Sequence, residues 1–409
     1  MRHLSVSLLV TTLFAGTAHA DFTIPGFELV HTSPVETSLT NPDLREPVAV
    51  WRELFDSAKK EIVIAQFYAV SKPGTAFEKV LASLTAAGQR GVKIRFLLDQ
   101  KGVGLSEAAT IARIKAIPNL DLRLIDFNKI TGNGIVHAKY LAVDGQVAYI
   151  GSQNFDWRSF EHIHETGLRI TEAAMVGQVQ AIFEQDWQAQ ALTSQGSRAT
   201  VLNSKVVPAN YAQDAFLLAS PNAYNPAGVG DSETGLPALL AEAKSEVRIQ
   251  LLDYAPLSYG PNRTRPYYAV IDNAVRAAAQ RGVKIKLMVS AWNTEAPAIA
   301  YLKSLALVPN VEIRIVTIPT ASTGFIPFAR VIHSKTMSID GKLAWVGTSN
   351  WAGGYFDLSR NLEVVLRNDA MAQRIAALHE QTWSSAYAQP IDINRQYPKP
   401  AKAAPQGKE

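Results

Sequence analysis

The chain has 409 residues, 47% of them hydrophobic and 19% charged; this is globular composition with length for two domains or one large duplicated one, and it excludes a disordered or fibrous protein. There is no cysteine, so disulfide frameworks, zinc–thiolate sites and cysteine nucleophiles are excluded. The net charge of +4 suits an anionic substrate, but no basic tract of the kind that grips duplex DNA is present.

Residues 1–20 differ from the rest of the chain. Arg2 and His3 make a short basic start, Leu4 to Ala15 is mostly apolar, and Ala18-His19-Ala20 is an A-x-A cleavage signature. This is the grammar of a secretory signal peptide, and the apolar run is shorter than the roughly 20 residues of a spanning helix. The expectation is an exported chain, periplasmic or secreted, that begins at Asp21.

The next residues spell one unit. A helix is expected around Val50–Lys59, then an apolar strand, Ile62–Tyr68. An amphipathic segment, Ala76–Gln89, leads through Gly91, placed as a helix C-cap glycine, to the strand Val92–Leu98. A helix near Glu107–Ile117 precedes the strand Asp121–Ile125. Strands around Ala138–Val143 and Val147–Ile150 are joined by Asp144-Gly145, a strong hairpin signal. A closing helix is expected near Ala173–Gln190.

The unit then recurs. AKKEIVIAQFY at Ala58 answers AKSEVRIQLLDY at Ala243, and QRGVKIRFLLD at Gln89 answers QRGVKIKLMVS at Gln280. IVHAKYLAVDGQVAYIGSQNFDW answers VIHSKTMSIDGKLAWVGTSNWAG, at offsets of 185, 191 and 196 residues for the three blocks. Conserved order within one chain marks a tandem duplication. The fold class is α/β: two layered α-β-α repeats with mixed sheets, related by a pseudo-twofold, with a site at their interface. The expected bounds are 21–200 and 201–395, with a linker at about Thr193–Asp231. A second closing helix lies near Asp369–Tyr387, and 396–409 is a Pro-, Ala- and Lys-rich end expected to be disordered.

Chemistry concentrates in the third block. His137-x-Lys139, Asp144, Ser152 and Asn154 answer His333-x-Lys335, Asp340, Thr348-Ser349 and Asn350, with seventeen residues from His to Asn in both copies. Positions i and i+2 of a strand share a face, so each His and Lys point together. The hairpin returns Ser and Asn to the same end. Imidazole, ammonium and amide on one point suit a phosphate. Two such half-sites place two histidines across one phosphorus: one attacks, the other protonates the leaving oxygen, and a phosphohistidine forms. Lys139, Lys335, Asn154 and Asn350 would neutralise the non-bridging oxygens, with Ser152 and Ser349 as further phosphate donors. Glu165 and Glu363, twenty-eight and thirty residues past their histidines, are candidates to hold a ring tautomer. Asp144 and Asp340 are expected to shape their hairpins. The chemistry requires no metal or cofactor.

This duplicated H-x-K-x4-D pattern resembles the phospholipase D superfamily, over nearly all of the mature chain. GSQNFDWRS at Gly151, GTSNWAGGYFD at Gly347, Pro327–Arg330 and DYAP at Asp253 are similar to the branch holding the mammalian endolysosomal phospholipase-D-like proteins. The resemblance implies a phosphodiesterase with His137 as nucleophile and His333 as general acid. Members of that branch act as 5′ exonucleases on single-stranded nucleic acid, and lipid activities have also been ascribed to them. The animal members carry a membrane anchor and disulfides, whereas this chain is expected to have a cleavable leader and contains no cysteine, so mechanism carries over further than substrate.

The substrate stays open between a phospholipid, with peripheral membrane contact, and single-stranded DNA or RNA. Phe155, Trp157, Trp351, Tyr355 and Phe356 could stack bases, contact lipid or fill the core. Asn262–Arg265 is a basic loop that could meet phosphates or stand solvated. A non-catalytic phosphate-binding envelope module is the remaining alternative, disfavoured by two intact motifs. One chain holds both half-sites, so a monomer suffices and no obligate protein partner is expected.

Overall fold

The computed structural model describes residues 21–200, 210–260 and 264–402. The expected leader lies outside the described residues, as do Asn262 and Arg263 of the basic loop. The first half runs β1 (Phe27–Thr32), α1 (Pro47–Ser57), β2 (Glu61–Gln66), α2 (Phe77–Gln89), β3 (Lys93–Asp99), α3 (Ala108–Lys115), β4 (Leu120–Ile125), β5 (Tyr140–Val143), β6 (Val147–Gly151), β7 (Glu165–Ile170) and α4 (Ala173–Ser194). The second half repeats it with β8 (Ala215–Ser220), α5 (Ser232–Glu242), β9 (Glu246–Leu251), α6 (Val270–Gln280), β10 (Lys284–Ser290), α7 (Ala298–Ala306), β11 (Val311–Val316), β12 (Thr336–Ile339), β13 (Leu343–Gly347), β14 (Asn361–Arg367) and α8 (Asp369–Trp383).

The first sheet is ordered β1-β7-β6-β5-β2-β3-β4 and the second β8-β14-β13-β12-β9-β10-β11, with two-residue to three-residue strands extending their edges to eight and nine strands. β2, β3 and β4 are parallel, and so are β9, β10 and β11; the other ladders of these two orders are antiparallel. The sheets are therefore mixed, as the α/β reading requires. The inner strand β2 is buried on both faces. Ile62 and Ile64 meet α1 and α2 on the outside, and Val63 and Ala65 meet α4 on the inside. Inside, α4 and α8 share one core between the sheets, built from residues such as Met175, Val179, Phe183, Met371 and Ile375.

Local chemistry explains the punctuation. α2 ends where Gly91 takes φ +88°, and α6 ends where Gly282 takes φ +92°. In the first, Val92 N–H reaches back to the Ala87 carbonyl at 3.1 Å, which closes the helix end without a side-chain cap. At the hairpins, Asp144 and Gly145 both have positive φ (54° and 66°), as do Asp340 and Gly341 (54° and 64°). Two consecutive positive values make the turn whose twist matches the flanking strands.

Three expectations change. β8 lies inside the stretch read as a linker; AFLLAS is a short apolar run set among turn residues, and it pairs with β14. β1 and β7 were not anticipated either, because polar Glu28, His31, Glu165 and Thr166 break their pattern and yet are buried. The tail is not free where it is described: Lys399 and Lys402 each lie 3.0 Å from Glu295, and the Lys402 carbonyl accepts the Phe328 N–H at 2.8 Å.

The motif aspartates hold backbone. Asp144 accepts the N–H groups of Lys59, Lys60 and Glu61, each at 2.8 Å, and Asp340 accepts those of Lys244, Ser245 and Glu246. Asp144→Ala is expected to lower unfolding free energy by about 2–4 kcal/mol through those charge-assisted bonds, with kcat/KM essentially unchanged. Urea titration alongside kinetics checks this; lost activity at unchanged stability would contradict it.

Candidate active site

Each histidine is held by the opposite half. Residues 135–138 lie along the start of β14: His137 and Ala138 both donate their N–H to the Arg360 carbonyl, at 3.0 and 2.9 Å, and Arg360 donates its own to the Ile135 carbonyl at 2.9 Å. The mirror pairing joins 331–334 to the start of β7. There His333 and Ser334 donate to the His164 carbonyl at 2.8 and 3.0 Å, and His164 donates to the Val331 carbonyl at 3.0 Å. Position 164 answers 360 and 137 answers 333 at the same 196-residue offset, so the pseudo-twofold is built in backbone.

The side chains behind those two carbonyls differ. The fully buried Arg360 guanidinium pairs with Asp186 at 2.8 Å and donates to the carbonyls of Ser220 and Tyr224 and to Asn225 Oδ1. His164 is buried too, and burial pushes it down to about 4. It is neutral at pH 7, and its Nδ1 lies 3.0 Å from both Ser334 Oγ and Gln250 Nε2. One crossing is anchored by an ion pair, the other by a neutral network.

The rings of the two motif histidines inherit this asymmetry. His333 Nδ1 lies 2.8 Å from Glu165 Oε2. His137 Nδ1 lies 3.1 Å from Asn361 Oδ1. The amide of Asn361 cannot be flipped without loss, since Nδ2 donates to the Tyr355 carbonyl at 2.8 Å and Oδ1 also accepts from Thr348 at 2.9 Å. Asn361 therefore presents an acceptor, His137 carries its proton on Nδ1, and Nε2 is left for the substrate. Glu165 does the same for His333 with a carboxylate.

Charge is concentrated and dry. Lys139 and Lys335 each turn back to donate to the carbonyl of their own histidine, the latter at 2.6 Å. Burial lowers both ammonium groups, Lys335 to about 7, and for Lys139 the charge of Lys335 adds to it. Burial first, and then both lysines, hold His137 and His333 well below the ordinary imidazole range. Glu165 is pushed up to about 8 by burial, against the pull of Lys335. The His333–Glu165 pair thus shares one proton at neutral pH.

His137, His333, Asn154 and Asn350 line one cavity of about 480 Å³. The structure brings these four together as the repeat predicted, with Lys139, Lys335 and Glu165 immediately behind. It does not place Glu363 there. Counting from the histidines matched Glu363 to Glu165, but the partner of Glu165 in the repeat is Asn361. Glu363 instead takes the Ser349 hydroxyl, and burial pushes its carboxyl up to about 7. Ser349 is committed to that contact rather than to a phosphate. Ser152 Oγ likewise accepts the Thr166 N–H at 3.0 Å and donates to its carbonyl at 3.2 Å, so it ties β6 to β7.

The aromatic expectations divide. Phe155, Trp157, Trp351 and Phe356 are buried in the cores of the two halves, and Tyr355 lines the cavity, its ring 4.8 Å from that of His137. The rest of the aromatic wall comes from Phe67, Tyr68, Trp292 and Phe328. Phe67 and Trp292 follow the carboxyl ends of β2 and β10. That position was legible, because α/β sheets place ligands at the carboxyl ends of parallel strands.

The sequence and the fold both have known counterparts. The family profile described as "Cardiolipin synthase, PLD-like domain" matches residues 51–187 and again 236–383. Phospholipase D Z of Dictyostelium discoideum is 31% identical over 368 residues, 83% of this chain and 85% of its own length. The 5′-3′ exonuclease PLD3 of Xenopus laevis is 30% identical over 394 residues, 86% of this chain and 77% of its own. Among solved structures, phosphatidylserine synthase of Haemophilus influenzae Rd KW20 has a TM-score of 0.60 at 11% identity, covering 84% of this chain and 85% of that one. This last likeness is one of fold.

The buried ion pair behind His137 yields a test. Asp186→Ala strands the Arg360 guanidinium and is expected to cost about 3–5 kcal/mol in denaturant unfolding, with activity reduced as Asn361 moves. A cost below about 1 kcal/mol would mean the pair does not anchor the crossing.

Proposed function

The chain belongs to the phospholipase D superfamily, near the branch of the 5′-3′ exonucleases PLD3 and PLD4, and from that premise we propose a two-histidine reaction through a covalent phosphohistidine on single-stranded nucleic acid. It is a phosphoric diester hydrolase. The observation that carries the mechanism is that two histidines from different halves line one cavity, each with Nδ1 held from the half it does not belong to.

The steps follow from the partners. One Nε2 attacks phosphorus in line, a P–N bond forms and a P–O bond breaks, and the other histidine gives its proton to the departing oxygen. That histidine then takes a proton from water, whose oxygen attacks phosphorus and breaks the P–N bond. Lys139, Lys335, Asn154 and Asn350 hold the non-bridging oxygens throughout. The resemblance implies His137 as nucleophile; the hydrogen bonds favour the reverse. A ring that gains a P–N bond while keeping its Nδ1 proton is cationic. Glu165 stabilises that cation at His333. Asn361 is neutral, which leaves a protonated His137 the stronger acid.

The substrate reading rests on the aromatic wall of the cavity and on the relatives named exonucleases. Stacking on rings holds a single strand without regard to sequence. The phospholipid reading is favoured by Leu105, 47% exposed on the same cavity, and by the relative named phospholipase D Z. Export is the other part of the proposal, from the leader-like start. Among the described residues no helix is long and apolar enough to cross a membrane.

Offering the purified protein, in EDTA, labelled single-stranded oligonucleotide and labelled phosphatidylcholine separately is expected to give cleavage of the oligonucleotide, abolished by His137→Ala and by His333→Ala. Cleavage of lipid alone would select the second reading, and loss of all activity in EDTA would contradict the two-histidine chemistry. A pH profile adds a second check. Both histidines are held below about 6.5, so the general acid loses its proton as pH rises through that lowered value. kcat/KM is therefore expected to peak on the acid side of pH 6.5 and fall above it; a maximum near pH 8 would contradict this.

A further inference from the structure

We propose that Phe328 is a stacking platform for a nucleobase beside the scissile phosphate; this rests on single-stranded nucleic acid being the substrate. The residue belongs to the loop 325–330 that leads into His333. Phe328 has φ +58° and Arg330 φ +57°. Left-handed backbone is unfavourable for a bulky aromatic residue and persists only where the surroundings impose it.

Here the surroundings do so from three directions. Phe328 N–H donates to the Lys402 carbonyl at 2.8 Å, and Lys402 is itself tied to Glu295 at 3.0 Å. Arg158, from the first half, donates to the Pro327 carbonyl at 2.8 Å. Arg330 donates to the carbonyls of Pro319 and Val35, both at 2.6 Å. The loop is clamped by both halves and by the C-terminal segment.

What the clamp achieves runs against burial. Phe328 stays 39% exposed and lines the cavity that contains His137 and His333. The neighbouring residues Ile326 and Ala329 turn into the core instead. An aromatic side chain kept out of the core by strained backbone serves something other than packing. It stands at 87° to Trp292, with ring centroids 6.4 Å apart, so the two rings make a right-angled corner. A flat ring inserted there meets one face and one edge, both favoured arrangements.

Charge narrows the occupant. Arg158 lies 5.9 Å from the Phe328 centroid, but its guanidinium is paired with Asp156 at 2.8 Å. Lys402, over Trp292, is paired with Glu295. Arg158 is balanced by Asp156, while Glu295 is shared by Lys402 and Lys399 and leaves one positive charge beside the corner; that charge suits a phosphate, and the rings add stacking on the base it carries. An acyl chain could lie on the same ring, but an aliphatic side chain would serve it equally well.

That difference sets the test. In a His333→Asn background, which blocks turnover, the affinity of a fluorescent single-stranded thymidine hexamer is compared with that of the same hexamer made abasic. Phe328→Leu is expected to shrink the preference for the base-bearing strand about tenfold, and Phe328→Trp to retain it. An unchanged preference in a folded Phe328→Leu protein overturns the platform. So does weakened binding of phosphatidylcholine vesicles in Phe328→Ala with no change for the hexamer, which would assign the ring to an acyl chain. A lost preference in a protein whose native sequence fails to cleave the hexamer would support the platform and defeat the nuclease reading alone.

Discussion

Two carbonyl oxygens, those of Arg360 and His164, each accept a pair of backbone N–H groups from the segment that carries a motif histidine of the other half. Everything chemical in the molecule depends on this exchange. It moves His137 off its own sheet to sit beside Asn361, and it moves His333 beside Glu165. Neither half holds a histidine with its Nδ1 partner, so neither has a complete half-site by itself. A duplication that merely juxtaposed two sheets would have left each ring backed by its own strand and the two phosphate faces unaligned.

The same exchange allowed the halves to diverge. Glu165 and Asn361 occupy equivalent places on β7 and β14, yet one is an acid and the other an amide. A symmetric pair of histidines would compete for the same role. In the mechanism we propose, an acid on one side and a neutral acceptor on the other separate nucleophile from proton donor. Around them, two lysines and a carboxylate are kept dry at a cost that one arriving anion offsets. Burial pulls Lys335 down to about 7 and Glu165 up to about 8, so the empty site is electrostatically poised and a phosphodiester completes it. Charge brought in with the substrate strengthens most where charge develops in the transition state.

Much of this was legible in the residues. The three repeated blocks announced the duplication, and the Asp-Gly pairs placed both hairpins with the right backbone sign. The seventeen-residue spacing brought Asn154 and Asn350 to the histidines. The failures have physical causes. Spacing from the histidines matched Glu165 to Glu363, whereas the constant 196-residue offset of the block would have pointed to Asn361. A slip of two residues along a strand keeps the face and so hides the error. β1, β7 and β8 escaped notice because they bury polar side chains or sit among turn residues. Motif-adjacent Trp157 and Trp351 are core residues, as their burial among apolar neighbours required. Phe328 lies in the Pro327–Arg330 segment that carries the family likeness, but no periodicity showed where its ring would stand; that is set by left-handed backbone and by contacts from residues as distant as Arg158 and Lys402.

The division of labour proposed for the Glu165 and Asn361 sides is reported directly by the covalent intermediate. Acid-sensitive phosphohistidine can be trapped by rapid alkaline quenching during turnover of an oligonucleotide and located by peptide mass spectrometry. The phosphoryl adduct is expected on His333, with none on His137. An adduct on His137 would contradict the assignment and restore the role that family resemblance alone implies.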